Sequence, residues 1–369
     1  MWGTQVTVAE DHNGPYNLLD GASGEVAEVV AETDSKLRIA ADSTLPLDKR
    51  LEAFEDIFES EVGDTSLVRA RNVEREVGLR QIYLKFEGGN PTGTQKDRIA
   101  FAQAMDALRR GYDTITVATC GNYGVAMALA AKFSGLHSRI YIPEKYHTRR
   151  IREMQDLDAE IVRVEGDYEC AVDVSSEQAR QHEYYDANPG GENMLSQMQA
   201  YGQIAYEIYD ELRDAPAAVA VPVSNGTTLA GIYKGFLSLY RRGKTSRMPR
   251  IVAGSSFRKN PIVQAFRNKK RSCEDLNPVK IHETSVNEPL INWHSIDGNH
   301  ALGAIRETNG WAADASDRAM RNCSRLISEK EGIQALPASS AGMIALLDQH
   351  HSEALPNDRY VVVLTGRKL

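Results

Sequence analysis

The sequence predicts an α/β protein built on parallel sheets with helices on both faces. Three observations carry this. From Gln81 onward, short β-branched runs alternate with longer segments of helical spacing, the order that requires parallel strands joined by crossover helices. The loops that hold chemically useful residues each follow a strand, which is where such sheets bind ligands. The chain's 369 residues are enough for two domains and a sizeable core.

The elements follow in order. Residues 1–45 are polar and mixed, carry turn signals at Asn13-Gly14-Pro15 and Asp20-Gly21, and read as an N-terminal extension. Residues 51–58 set apolar side chains at helical spacing. A strand at 82–84 leads to a helix over 99–110, then a β-branched strand at 114–118 and an alanine-rich helix over 123–133. A strand at 139–142 ends at Pro143, and a helix at 149–156, a strand at 160–164 and helices over 168–182 and 194–212 follow. Strand 217–223 runs into helix 229–240 and strand 251–254, and helices over 316–331 and 339–350 precede a closing strand at 359–364. There are no internal repeats or low-complexity tracts. The basic run Arg267-Asn268-Lys269-Lys270-Arg271 reads as a solvated loop.

Composition narrows the function classes. Hydrophobic residues make up 42% and charged residues 25%, as in ordinary globular proteins. A net charge of -8 argues against a nucleic-acid partner. No apolar run approaches the length of a membrane span. The segment 1–11 lacks the basic start and apolar stretch of a signal peptide, so a cytoplasmic setting is expected. Cys120, Cys170, Cys273 and Cys323 are too far apart for a metal knuckle or a redox pair and read as free thiols.

The most informative stretch is Glu87-Gly88-Gly89-Asn90-Pro91-Thr92-Gly93-Thr94-Gln95-Lys96-Asp97-Arg98. It puts Lys96 on a strand-to-helix turn. The positive end of the helix dipole disfavours another cation there. A readily deprotonated amine is what Schiff-base chemistry with an aldehyde requires. A plain surface lysine is the competing reading. A phosphate loop of the G-x-x-x-x-G-K-[ST] kind fails on spacing, because Lys96 comes three residues after Gly93.

Three further stretches follow strands. Thr119-Cys120-Gly121-Asn122-Tyr123-Gly124 opens a helix, and amides at a helix start bind carboxylates and phosphates. Val223-Ser224-Asn225-Gly226-Thr227-Thr228-Leu229 is a loop of small and hydroxyl residues without Lys or Arg, so an anion would be held there by amides, hydroxyls and the helix dipole. Val361-Val362-Val363-Leu364-Thr365-Gly366 is the closing strand with its trailing hydroxyl. Each alone also reads as an ordinary capped turn.

Together these motifs resemble pyridoxal-phosphate enzymes of the tryptophan-synthase-β fold type (fold type II), and most of all threonine synthase, whose loop reads Asn-Pro-Thr-Gly-Ser-Phe-Lys-Asp-Arg. The resemblance runs from about Thr65 to the end of the chain. It implies two three-layer α/β domains with the cofactor in the cleft between them: 46–99 plus 201–369 as the large cofactor domain and 100–200 as the small one. It puts the aldehyde of pyridoxal 5′-phosphate on Lys96, the ring hydroxyl at Asn122 and the pyridine nitrogen at Thr365. Ser224, Asn225, Gly226, Thr227 and Thr228 cradle the cofactor phosphate. Thr119, Cys120, Gly121, Asn122 and Tyr123 hold the substrate carboxylate. The stretch Lys330-Glu331-Gly332-Ile333 with Pro337-Ala338-Ser339-Ser340-Ala341 matches a further family signature, with Glu331 expected near the ring. No metal is implied. A homodimer and a role in amino-acid biosynthesis are.

The sequence also departs from threonine synthase. Thr94 and Gln95 replace a serine and an aromatic, Tyr123 replaces a threonine, and Asn188-Pro189-Gly190-Gly191-Glu192 lacks the family's arginine. The phosphate of phosphohomoserine would thus lack its usual anchors. Arg149, Arg150, Arg152 or His147 in the adjacent segment could replace them, although the leading reading of each is a surface charge. The leading expectation is a threonine synthase-like lyase. The alternative is β-replacement or dehydration of serine, threonine or an activated serine, as in cysteine synthase. A non-catalytic ligand-binding relative is the third reading.

Overall fold

The computed structural model describes residues 24–119, 121–146 and 150–368, with side chains from Thr33 onward. Cys120, His147, Arg149 and the turn signals at 13–15 and 20–21 lie outside the described residues.

The strands are β1 Leu67–Arg69, β2 Ile82–Phe86, β3 Thr114–Ala118, β4 His137–Pro143, β5 Glu160–Val164, β6 Tyr185–Asp186, β7 Ala218–Pro222, β8 Arg250–Ser256, β9 Trp311–Ala315 and β10 Tyr360–Leu364. They form two sheets, ordered β1-β2-β10-β7-β8-β9 and β5-β4-β3-β6. All pairings are parallel except β1 with β2. An antiparallel edge strand on a parallel sheet is common.

The last strand of the chain lies inside the larger sheet, with Val362 paired to Leu84 on one side and Ala220 on the other. Its residues are buried and, apart from the Tyr360 hydroxyl, apolar. Alternate positions face different cores. Val361, Val363, Val219 and Val221 join one cluster, while Val362, Leu364, Ala218 and Ala220 join the other. Strands buried on both faces read as continuous apolar runs for this reason. Helix Ala341–Ser352 lies so close to the sheet that a Cβ at Gly254 would sit 2.0 Å from the Ala341 carbonyl oxygen. Gly254→Ala is therefore expected to destabilise the protein by about 1–3 kcal/mol through overpacking, read as a lower urea midpoint. An unchanged midpoint would mean that the helix stands off the sheet.

Most elements expected from the sequence are present, with ends shifted by a few residues. Among the described residues, seven α-helices and strands were not anticipated as elements: helices Gly24–Ala41, Arg71–Val77, Pro261–Arg267 and Gly298–Glu307, and strands β1, β6 and β9. The segment read as an extension thus contains a helix, and it is tied down by Arg50, whose guanidinium donates to Ala40 O and Ser134 O. The domain limits expected at 99/100 and 200/201 fall inside helices Lys96–Arg109 and Met194–Leu212. Among the described residues, no helix is long and apolar enough to cross a membrane, and no group of His, Cys, Asp and Glu has the makings of a metal site.

What this topology does for the site is simple. β2, β10 and β7 are adjacent and parallel, so the loops at their carboxyl ends emerge together. Those loops carry Lys96, Thr365 and Ser224–Thr228. The carboxyl end of β3 in the second sheet supplies Thr119, Gly121, Asn122 and Tyr123.

Candidate active site

Lys96 is the first residue of helix Lys96–Arg109. The turn before it is clamped to the closing strand: Gln95 N–H donates to Thr365 O at 3.0 Å, and Thr94 bridges Gly366. Asn90 and Asp97 build the turn from within. Asn90 donates to Glu87 and accepts from Gly63 N–H, while the Asp97 carboxylate accepts from the amide and hydroxyl of Thr92. Arg98, the last residue of the motif, points away from Lys96 into a buried network with Glu87 and Glu207.

The Lys96 Nζ makes no hydrogen bond or ion pair among the described residues. It lies 5.6 Å from the centre of the Tyr123 ring and 5.9 Å from that of Tyr201. Burial pulls its pKa down from 10.5 to about 8, and the Asp297 carboxylate works the other way. Desolvation of the ammonium thus makes this lysine easily deprotonated.

The loop after β3 ends at Gly121, the N-cap of helix Asn122–Ser134, with no side chain capping the helix. Thr119 is buried, and its hydroxyl accepts from Gly121 N–H at 3.4 Å. Asn122 Oδ1 accepts from Arg150 Nη2 at 2.6 Å. The Tyr123 hydroxyl is turned inward, donating to Ala187 O at 2.9 Å and accepting from Gln103 at 2.6 Å, so this residue offers its ring to Lys96 and not its hydroxyl to the loop. Near Gly121 stands Glu288. Its Oε1 accepts from the Tyr146 hydroxyl at 3.3 Å, and burial raises its carboxyl.

The loop after β7 fits a phosphate. Gly226 has φ +98, a conformation that suits glycine, and it opens helix Thr227–Arg241 with no side-chain cap. The first bonded amide of that helix is Ala230 N–H, to Gly226 O at 2.9 Å, so the earlier amides are available to an anion. Asn225 is braced by Asn292, and the Ser224 carbonyl by Asn260 and Ser295. The Thr227 hydroxyl donates to the buried Asp297. At the end of β10, the Thr365 hydroxyl lies 3.2 Å from that of Ser339.

A sequence profile of the family described as "Pyridoxal-phosphate dependent enzyme" matches residues 58–366. The chain belongs to the pyridoxal-phosphate dependent enzyme family. Its cofactor is pyridoxal 5′-phosphate, its fold is type II, and its class is lyase. It is similar to the threonine synthase of Methanocaldococcus jannaschii, at 30% identity over 83% of this chain and 75% of that protein. It is also similar to that of Synechocystis sp., at 26% identity over 83% and 77%. Among solved structures, maize serine racemase superposes with a TM-score of 0.70 at 17% identity, covering 86% of this chain and 94% of that one. Cysteine synthase from Entamoeba histolytica gives 0.65 at 20% identity, covering 83% and 86%. The orphaned Lys96 amine, the uncapped helix at Thr227 and the hydroxyl pair at Thr365 fit the family's cofactor.

One expectation is corrected. Glu331 accepts from the amides of Asn72 and Val73, both at 2.8 Å, and so caps helix Arg71–Val77 instead of approaching the ring. An acidic side chain is favoured at a helix start by the dipole and the free amides. Conversely, Ser339 lay inside the motif read only as a frame, and Asp297 and Glu288 lay in no motif. Short-range sequence signals do not reveal carboxylates that reach a site from a distant loop.

Proposed function

We propose that the chain catalyses elimination or replacement on a small amino acid in the manner of threonine synthase, with O-phosphohomoserine as substrate. The observation that carries this is the Arg150 guanidinium hydrogen-bonded to Asn122 at 2.6 Å. It puts a cation beside the substrate loop of a chain that lacks the family's usual phosphate anchor. The similarity to threonine synthases supports the same reading.

When bound, pyridoxal phosphate supplies the electron sink for a carbanion at the substrate α-carbon. The residues of this chain do the rest. Lys96 would hold the cofactor aldehyde, and its amine is placed to take the α-proton as general base. The uncapped amides at Asn122 and Tyr123, with Thr119 and Gly121, hold the substrate carboxylate. The Asn122 amide and the Thr365 hydroxyl orient the ring. Ser224, Asn225, Gly226, Thr227 and Thr228 hold the phosphate. The two sheets correspond to two domains with this cleft between them. A cytoplasmic homodimer belongs to the same reading, and light scattering of the purified protein tests the dimer.

A second reading is favoured by Glu288. A half-buried carboxylate beside Gly121 and Tyr146 repels a dianion, which suits an uncharged leaving group, as in serine or threonine dehydration or β-replacement. One assay separates the two. Threonine and inorganic phosphate released from phosphohomoserine support the first. A 2-oxo acid from serine or threonine, or cysteine in the presence of sulfide and an activated serine, with no turnover of phosphohomoserine, overturns it in favour of the second.

A further inference from the structure

Asp297 is a buried carboxylate for which the proposed reaction has no use. It is 0% exposed. One oxygen, Oδ2, accepts from the Thr227 hydroxyl at the start of helix Thr227–Arg241. The other, Oδ1, is buried with no hydrogen-bond partner among the described residues. Its backbone is fixed to the same loop, because Asp297 N–H donates to Asn225 O at 3.1 Å and a Cβ at Gly226 would lie 3.0 Å from Asp297 O. A buried oxygen with no donor is costly. Here it borders a helix start with unused amides.

The charges that act on this carboxyl come from three elements. They are Lys96 on helix Lys96–Arg109, Lys234 on helix Thr227–Arg241 and His300 on its own helix Gly298–Glu307. None of them is bonded to it. The Cys273 thiol packs against Gly298 and is pushed up to about 11 by burial, so it is uncharged. Burial raises the Asp297 carboxyl, only partly offset by the Thr227 hydroxyl, His300, Lys234 and Lys96.

We propose that Asp297 shares one proton with the cofactor phosphate: the carboxyl takes up a proton from solvent as the phosphate seats on the Thr227 helix start, and Oδ1–H donates to a phosphate oxygen. Two anions in one site cannot both stay fully ionised. The proton removes the repulsion and gives the orphaned oxygen a partner. Asp297 then makes cofactor capture proton-linked, with affinity falling as pH rises. The proposal rests on the reading of Ser224–Thr228 as the phosphate cradle, and not on the identity of the substrate.

The test uses the full chain freed of cofactor and pyridoxine 5′-phosphate, which has the phosphate but no aldehyde for Lys96. Calorimetric titration at pH 7 in two buffers of different ionisation enthalpy gives the protons taken up on binding. Lys96 is already largely protonated at that pH and contributes little. The wild type is expected to take up close to one proton more than Asp297→Asn, and the variant to bind about tenfold more tightly at pH 8, since a like charge close by is gone. Equal uptake by the two proteins, or weaker binding by the variant, overturns the proposal and leaves Asp297 as a brace for Thr227. If the variant does not fold, the wild type alone decides, with uptake near zero overturning the proposal and uptake near one supporting it. Failure of the wild type to bind the analogue overturns the cradle reading itself, and with it this inference.

Discussion

Lys96→Ala is expected to abolish covalent capture of the cofactor and to lower turnover by about a thousandfold or more. Two losses combine, that of the attachment point and that of the general base, and the latter alone is worth about 10²–10⁴-fold. No neighbour replaces it. Tyr123 and Tyr201 present rings to the amine, and burial holds the Tyr123 hydroxyl in its neutral form. The readout is borohydride reduction of the yellow protein followed by peptide mapping. Label on the peptide containing residue 96 in the wild type, and none in the variant, is the expected result. Label on another lysine would sink the assignment.

The same lysine predicts a pH dependence with a definite sign. The amine that attacks an aldehyde is the neutral one. With a folded-state pKa of about 8 instead of 10.5, the rate of cofactor capture rises with pH and levels off just above 8. A lysine exposed to water would keep gaining to beyond pH 10. Stopped-flow measurement of capture across that range distinguishes them, and a rate still climbing at pH 10 would show that the amine is not desolvated.

Much of this could be read from the chain because the relevant signals are local. β10 is a run of Tyr, Val and Leu flanked by polar residues, and a buried parallel strand needs little else. The Lys96 turn was legible because glycine there permits positive φ while proline and asparagine favour turns. β9 was not legible. Trp311-Ala-Ala-Asp-Ala lacks β-branched residues and becomes a strand through pairing with β8, a tertiary effect that overrides propensity. Helix Gly298–Glu307 begins at Asp297, whose side chain goes to Thr227 instead of capping its own helix, so the usual start signal was present but spent elsewhere. The site was legible to the same extent. Residues within motifs were found, whereas Ser339, Glu288 and Asp297 arrive from other parts of the chain. Arg150 was one of four candidates named from the adjacent segment of the sequence, and its bond to Asn122 needed the fold.

Arg98→Ala is expected to cost about 3–5 kcal/mol of stability, the usual consequence of removing one member of a buried ion network. Arg98 bonds Glu87 through two nitrogens at 2.6 and 2.9 Å, and Glu207 at 2.6 and 2.8 Å. Glu87 is 0% exposed. Without the guanidinium, Glu87 keeps only neutral donors, among them the Thr65 hydroxyl and the Asn90 amide, while Glu207 keeps Lys85. The pH dependence identifies the cause. In the wild type, burial would raise the Glu207 carboxyl, but Arg98 and Lys85 hold it at about 2 against an ordinary 4.5. Its contribution is therefore complete above pH 4.5 and is lost as pH falls toward 2. In the variant the Glu207 carboxyl loses the guanidinium and keeps only Lys85, so it shifts upward and its protonation relieves the buried charge at mildly acidic pH. The difference in urea midpoint between wild type and Arg98→Ala should accordingly be large at pH 7 and narrower at pH 5. A gap that is the same at both pH values would assign the loss to the missing side-chain volume instead of to stranded charge, and a loss well below 1 kcal/mol would mean that the network contributes nothing to holding the Lys96 turn against helix Met194–Leu212.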